Sequence, residues 1–136
     1  MKKGFSTVAL AAVLVGASLL LGGCKQPAGT EATSPAELRG GETGVTLDPS
    51  NFTGETAQAY RIAKEIPEVL DSMHCYCECK KHFGHKSLLS CYLDEHAKNC
   101  DVCLDETFMA YELHKQGKDI LTIRKAVDQR FSNLRH

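Results

Sequence analysis

The residues best suited to chemistry are cysteines, because six of the seven in the chain lie between positions 75 and 103. Three of them alternate with other residues, as Cys75, Cys77 and Cys79. A disulfide between cysteines two positions apart closes a small, strained ring. Alternate side chains of an extended or looped backbone point the same way, so neighbouring thiolates can converge on one soft ion. The spacing therefore favours metal binding or a reactive disulfide over ordinary structural disulfides.

A second pair, Cys100 and Cys103, lies at the predicted start of a helix. Unpaired backbone N–H groups at that position lower a thiol pKa, which promotes both metal binding and thiol exchange. On a helical wheel the two sulfurs share the side that carries the apolar residues, so we expect them to face the core. Cys91 precedes this pair and can reach the same region from the preceding segment.

Two histidines extend this set, since imidazole is a good ligand for zinc and copper. His85 follows the alternating cysteines, and His96 lies on the apolar side of its predicted helix, just before the second pair. The predicted ion is copper or zinc. The candidate metal ligands are Cys75, Cys77, Cys79, Cys91, Cys100, Cys103, His85 and His96.

The elements that position these residues are predicted to be helices. Apolar residues recur at three- and four-residue steps from Ala59 to Met73, interrupted by Pro67, which should kink or restart the helix. Further helices are expected after Gly84, from about residue 101 to residue 116, and from a cap at Asp119. No segment alternates as a half-buried strand would. We predict an all-α fold, a small bundle of about four helices with the cysteine-rich cluster at one end.

The N-terminus has the pattern of a bacterial lipoprotein signal. Lys2 and Lys3 precede an apolar segment of residues 5–21, and two glycines then precede Cys24. We therefore predict a signal peptide over residues 1–23 and lipidation of Cys24. The acyl chains would anchor the protein to the membrane on its extracytoplasmic side, where disulfides can persist.

The predicted domain organisation follows from a change in composition. Residues 24–54 contain the lipidated cysteine and a segment rich in Pro, Gly, Thr, Ser and Glu, which is typical of a flexible linker. Residues 55–136 form the predicted cysteine-rich helical domain. Such a linker would let the domain approach a membrane-bound metal or redox partner.

Charge and missing motifs exclude other classes of function. The 16 basic and 17 acidic residues leave no positive field for a nucleic-acid backbone, so no nucleic-acid partner is expected. The sequence contains no dinucleotide fingerprint, phosphate-binding glycine loop or Ser/His/Asp grouping.

The cysteine motif resembles that of a bacterial family named for a PCYCGC or CYCXC sequence. The resemblance rests on residues 75–79, the Gly-His-Lys-Ser-Leu-Leu of residues 84–89, and the later cysteines, over roughly residues 60–131. His74 and Glu78 stand where the PCYCGC branch has proline and glycine, so the CYCXC branch is the closer one. Family members are often lipoproteins, and some of the CYCXC branch are selenoproteins. The resemblance implies soft-ligand or redox chemistry and no specific activity.

Three functional hypotheses remain. The first is a membrane-anchored protein whose thiols bind a soft metal ion, Cu(I) in preference to zinc, for sequestration or delivery. The second is a thiol–disulfide oxidoreductase that uses the same cysteines, although the usual alternation of strands and helices is missing. The third is an interaction domain stabilised by disulfides. The pattern favours a binding protein over an enzyme.

Overall fold

The computed structural model describes residue 32 and residues 34–134. The predicted signal peptide, Cys24 and most of residues 24–33 lie outside the described residues. Within them the chain is helical and has no β-strand, which confirms the predicted all-α fold with a cysteine-rich cluster. None of the described helices is long and apolar enough to cross a bilayer. The α-helices are α1 (Pro35–Leu38), α2 (Gly54–Glu65), α3 (Pro67–Asp71), α4 (Cys79–Phe83), α5 (Asp101–Lys115) and α6 (Ile120–Phe131), and the 3₁₀ helices are Pro49–Asn51, Leu88–Tyr92 and His96–Asn99.

The apolar period of residues 59–73 forms two helices in sequence. α2 ends where the Ile66 N–H donates to the Ile62 carbonyl oxygen at 2.9 Å. α3 then starts with Pro67, whose missing N–H costs nothing in the first turn of a helix. The predicted restart at this proline is therefore confirmed. The apolar residues of the period are all buried, namely Ala59, Ile62, Ala63, Ile66, Val69, Leu70 and Met73.

α5 packs between α2 and α6. It ends before Gly117, whose φ of 74° is the left-handed conformation predicted for a helix terminus. The side chain of Asp119 accepts a hydrogen bond from the Thr122 N–H at 2.9 Å, so α6 has the predicted cap. The buried residues of α6 are Ile123, Val127 and Phe131.

The helix predicted after Gly84 is instead two short 3₁₀ helices, Leu88–Tyr92 and His96–Asn99. Asp94 interrupts it, because its side chain accepts from the His96 N–H at 2.7 Å, a local bond that competes with helical pairing. The Tyr60 hydroxyl also donates to the Asp94 carbonyl oxygen at 2.6 Å. That bond fixes the backbone of Asp94 to the buried side chain of Tyr60 in α2.

Part of the predicted linker contacts the helical body. The buried carboxylate of Asp71 accepts hydrogen bonds from Arg39 Nε at 2.7 Å, the Gly41 N–H at 3.2 Å and the Glu42 N–H at 2.9 Å. We call these four residues the Asp71 hub. Further along, the Leu47 N–H donates to the Tyr92 carbonyl oxygen at 2.9 Å. Because these contacts order residues 39–47 against the helices, the packed body begins near residue 39. The composition of this segment does not indicate that packing.

Candidate metal centre

The alternating cysteines lie in the tight turn after α3 and at the first residue of α4. Glu78 has a φ of 59°, the left-handed conformation that reverses the chain just before α4. The Tyr76 N–H donates to Glu106 Oε1 at 2.9 Å, and the Tyr76 hydroxyl donates to Asp128 Oδ1 at 2.7 Å. The turn is therefore fixed to both α5 and α6.

The remaining sulfurs come from the segment that precedes α5 and from its first turn. Cys91 lies in the 3₁₀ helix Leu88–Tyr92, and Cys103 lies in the first turn of α5, as its spacing predicts. Tyr92 of this 3₁₀ helix contacts α5 through its hydroxyl, which donates to the Cys103 carbonyl oxygen at 2.9 Å and lies 2.7 Å from Thr107 Oγ1. A buried tyrosine thus holds the two elements together.

The side chains of the turn and of α5 converge on one point. Cys75 Sγ lies 3.2 Å from Cys77 Sγ, 3.6 Å from Cys103 Sγ and 3.5 Å from Cys91 Sγ. Cys77 Sγ lies 3.5 Å from Cys103 Sγ. These separations far exceed the roughly 2 Å of a disulfide bond. None of the six cysteines in the described part of the chain is in a disulfide.

One histidine reaches the sulfurs directly, and a second borders them. His96 Nε2 lies 2.8 Å from Cys79 Sγ and 4.0 Å from Cys77 Sγ. His85 Nδ1 lies 3.2 Å from Cys91 Sγ, and its ring meets the His96 ring edge-on. The exposed ring of Phe83 also packs against His96, so an aromatic side chain borders the cluster on the solvent side.

The close contacts between the thiols shift their pKa values in opposite directions. Contacts with Cys100, Cys103 and Cys75 strongly lower the pKa of Cys77, because neighbouring S–H groups donate to its thiolate. Contacts with the other sulfurs, Cys100 first, raise the pKa of Cys103. Burial, and then contact with Cys77, raise the pKa of Cys79. Contact with Cys103 also lowers the pKa of Cys75. Without a metal, the negative charge of the cluster is thus concentrated on Cys77 and Cys75.

A buried carboxyl group lies beside the sulfurs. Glu106 is fully buried on α5, and its Oε2 atom has no hydrogen-bond partner among the described residues. Burial first, and then the negative charge of Cys75 and Cys77, raise the pKa of Glu106 to about 9. This carboxyl group is therefore neutral at pH 7.

Two overlapping groups of four residues could hold a metal ion. The ligand atoms of Cys75, Cys79, Cys91 and Cys103 all lie within 4.8 Å of one another, and all four residues are buried. The ligand atoms of a second group meet the same limit, and this group comprises Cys77, Cys79, His96 and Cys103.

The structure thus brings together six of the eight predicted ligands. Cys100 stands immediately before α5 and lies outside both groups, although it interacts with Cys77 and Cys103. His85 also lies outside them, and its Nδ1 atom contacts Cys91 Sγ. The roles of all eight residues as metal ligands remain predictions, as does lipidation of Cys24, which lies outside the described residues.

A family model described as "Protein of unknown function with PCYCGC motif" matches residues 13–134. The chain belongs to this PCYCGC family. The match confirms the suspected family and extends well beyond residues 60–131, on which the resemblance rested. No curated protein and no solved structure matches the chain. Membership of the PCYCGC family therefore assigns no activity to the chain, and the evidence for its chemistry is the residues of the site.

The sequence prediction missed one important residue of the site, Glu106. It lies three positions after Cys103, on the buried face of α5 that continues to Ala110. That spacing is the signal that could have found it, since a carboxyl group on an otherwise apolar helix face has a specific reason to be buried. For the turn that brings the alternating cysteines together, the sequence predicted only an extended or looped segment.

Proposed function

We propose that this PCYCGC-family protein is an extracytoplasmic, membrane-anchored lipoprotein whose cysteine cluster binds a soft metal ion for sequestration or delivery. Cu(I) is the preferred ion and zinc the second. The observation that carries the proposal is the packing of five sulfurs and one imidazole nitrogen into two overlapping groups of metal-ligating geometry.

The distances between ligand atoms support this proposal. In a tetrahedral site with metal–sulfur bonds of about 2.3 Å, neighbouring sulfurs lie about 3.8 Å apart. The contacts of Cys75 with Cys91 and Cys103, at 3.5 and 3.6 Å, are close to that value. Cys75 contacts three other sulfurs, which suits a shared ion better than a set of separate disulfides.

The choice of Cu(I) rests on ligand softness, since thiolates select Cu(I) and zinc over harder ions. Acylation of Cys24 would place the cluster near a membrane-bound metal partner, and spare thiolates would let an ion pass by exchange of one ligand for another. Cys77 and His96, which are only partly buried, suit such an exchange.

The test is native mass spectrometry of the full-length protein, extracted anaerobically from membranes in detergent and titrated separately with Cu(I) and Zn²⁺. We expect the mass of residues 24–136 plus lipid, with bound metal that masks the thiols from alkylation until a chelator is added. Cys77→Ser should weaken metal binding, whereas the control Cys24→Ser should lose the lipid and keep the metal. A metal-free protein with three disulfides would contradict the proposal.

A second candidate, thiol–disulfide exchange, is favoured by the same Cys77. Its thiolate would attack a substrate disulfide, form a mixed disulfide and release one substrate thiolate. Cys103, 3.5 Å away, would then attack the Cys77 sulfur, transferring its proton to the released second thiolate and leaving a Cys77–Cys103 disulfide. The substrate gains two electrons and the domain loses them. Rapid reduction of a disulfide substrate by the metal-free protein, abolished by Cys77→Ser, would favour this candidate.

A further inference from the structure

The two ligand groups share two of their members. Cys79, at the start of α4, and Cys103, in the first turn of α5, belong to both. Both residues are fully buried. Cys75 and Cys91 complete one group, and Cys77 and His96 complete the other.

The number of donor atoms exceeds what one ion can use. Zinc in a protein site with sulfur and nitrogen ligands takes four of them. A single ion in the all-sulfur group would leave Cys77 and His96 uncoordinated, although Cys77 Sγ lies 3.2 Å from Cys75 Sγ and 3.5 Å from Cys103 Sγ. Two ions that share Cys79 and Cys103 would use all six donors.

Charge favours the same arrangement. One divalent ion bound by four thiolates carries a net charge of about −2, on ligands that are all buried. A second divalent ion, with one added thiolate and a neutral imidazole, reduces the net charge of the whole centre to about −1. The hydrogen-bond partners given for these sulfurs are other thiols and the rings of His85 and His96, so the ions themselves supply the positive charge.

The two groups differ in access to solvent. All four residues of the all-sulfur group are buried, whereas Cys77 and His96 of the mixed group are only partly buried. Phe83, which is 65% exposed, packs against the His96 ring with 4.7 Å between ring centroids. An ion in the mixed group would therefore exchange with an external chelator or partner sooner than one in the all-sulfur group.

We infer that the domain holds a two-ion centre in which the thiolates of Cys79 and Cys103 bridge both ions. Cys75 and Cys91 complete the inner ion, and Cys77 and His96 complete the outer, exchangeable ion. This inference rests on the proposed function, because it requires the cluster to bind metal. It adds the number of ions, the bridging ligands and the order of release.

The experiment counts zinc ions by native mass spectrometry of the full-length protein in detergent, kept reduced and anaerobic. We expect two Zn²⁺ per chain, of which a chelator removes one rapidly and one slowly. A maximum of one Zn²⁺ would overturn the two-ion centre and leave the proposed function intact. Failure to bind either Zn²⁺ or Cu(I) would overturn both.

Variants of the ligands test which residues bind each ion. The pair Cys77→Ser with His96→Ala should retain one slowly released Zn²⁺, and the pair Cys75→Ser with Cys91→Ser should retain one rapidly released Zn²⁺. The control His114→Ala, an exposed histidine of α5 outside both groups and outside the predicted ligands, should retain two. Retention of two ions by the first pair, or loss of one by the control, would overturn the ligand assignment.

The bridge has its own test, Cys103→Ser. Removal of a shared ligand should weaken the binding of both ions, whereas removal of a ligand of one ion should weaken that ion alone. Unchanged affinity for either ion in Cys103→Ser would overturn the bridge. Circular dichroism at the same temperature checks that each variant keeps its helical content, and the paired variants keep the assignment testable if Cys103→Ser does not fold.

Discussion

Asp71 and Glu106 are both fully buried carboxyl groups, yet their surroundings have opposite effects on ionisation. Burial alone would raise the pKa of Asp71, but hydrogen bonds from Arg39 and from the Glu42 and Gly41 N–H groups outweigh it and lower that pKa. Burial first, and then the negative charge of the nearby sulfurs, raise the pKa of Glu106 to about 9. One carboxyl group is therefore charged and the other neutral at pH 7.

The difference shows which of the two regions is complete without a ligand. In the Asp71 hub, both carboxylate oxygens have donors and the negative charge has a guanidinium partner. Beside the sulfurs, Glu106 Oε2 has no hydrogen-bond partner among the described residues, and the negative charge resides on the thiolates of Cys77 and Cys75. Removal of a buried carboxylate that is fully paired leaves its donors unpaired and destabilises the fold, whereas a buried region that lacks positive charge is suited to a cation.

The largest expected effect is stabilisation of the fold by added zinc, which should act through the sulfur region and not through the Asp71 hub. Because the proposed zinc sites require the folded state, zinc at a free concentration 1,000 times the dissociation constant of a site should raise the free energy of unfolding by about 4 kcal/mol for each ion bound. Asp71→Asn should start from a lower stability and gain the same increment, since its contacts do not involve the sulfurs. Urea unfolding with and without Zn²⁺ measures both increments. Loss of the increment in Asp71→Asn would show that the two regions are coupled.

A second effect should distinguish the sulfur region in the metal-free, reduced protein. Because the pKa of Glu106 is raised in the folded state, its contribution to stability is complete below the unfolded pKa of about 4.5 and is lost as pH rises toward 9. Glu106→Gln keeps an oxygen for the Tyr76 N–H and does not ionise. The variant should therefore gain stability relative to the wild type as pH rises, by about 3 kcal/mol between pH 4.5 and pH 7.

The measurement is the difference in free energy of unfolding between Glu106→Gln and the wild type at each pH, which cancels the titration of the thiols to first order. A difference that does not change between pH 4.5 and pH 7 would show that Glu106 is charged in the folded state. The contrast with Asp71 would then disappear.

The Asp71 hub should behave in the opposite sense. Because the pKa of Asp71 is lowered by folding, its contribution is complete above the unfolded pKa of about 3.9 and is lost as pH falls through the folded pKa. Asp71→Asn should lower stability at pH 7 by about 2 kcal/mol, with the deficit shrinking in acid. Equal stability of the variant and the wild type at pH 7 would contradict the structural role of the hub.

The chain offers a matched control for this substitution in Asp48. Hydrogen bonds from Ser50, and then the contact with Lys64, lower the pKa of Asp48 to about 2, although the group is exposed. Water can replace these partners, so Asp48→Asn should cost much less than Asp71→Asn. Unfolding of both variants at pH 7 and pH 3 measures the contrast.

The helices were predictable where local signals determine them. The apolar period of residues 59–73, the break at Pro67 and the cap at Asp119 each act within a few residues, and all three appear in the structure. The segment after Gly84 was predicted as one helix because its apolar spacing fits that period. The local bond of Asp94 and its distant contact with Tyr60 divide it instead.

The cysteine and histidine types indicated the candidate site, whereas its arrangement depends on contacts distant in sequence. Nothing near Cys79 indicates that His96 will lie 2.8 Å from its sulfur. The packing of residues 39–52 was missed for the same reason, since the partner of Arg39 is Asp71, 32 residues away. The residue types thus predicted the kind of chemistry, whereas tertiary contacts determine which of these residues lie together at the site.

The smallest expected effect concerns the link between the sulfur region and α6. The Tyr76 hydroxyl donates to Asp128, which also accepts from Arg124 Nε at 2.6 Å, so Tyr76→Phe leaves the carboxylate paired. The loss of one hydrogen bond should cost about 1 kcal/mol. Zinc affinity should fall about tenfold, because the turn that carries Cys75 and Cys77 loses one of its two anchors.

The control for Tyr76→Phe is Tyr111→Phe, which removes an exposed hydroxyl that donates to Glu65 at 3.1 Å. It should change neither the stability nor the zinc affinity by a comparable amount. Urea unfolding and competition with a zinc chelator measure the two quantities for each variant. An unchanged zinc affinity in Tyr76→Phe would show that the bond from Tyr76 N to Glu106 positions the turn by itself. The buried carboxyl group would then be the anchor of the sulfurs as well as their neutral neighbour.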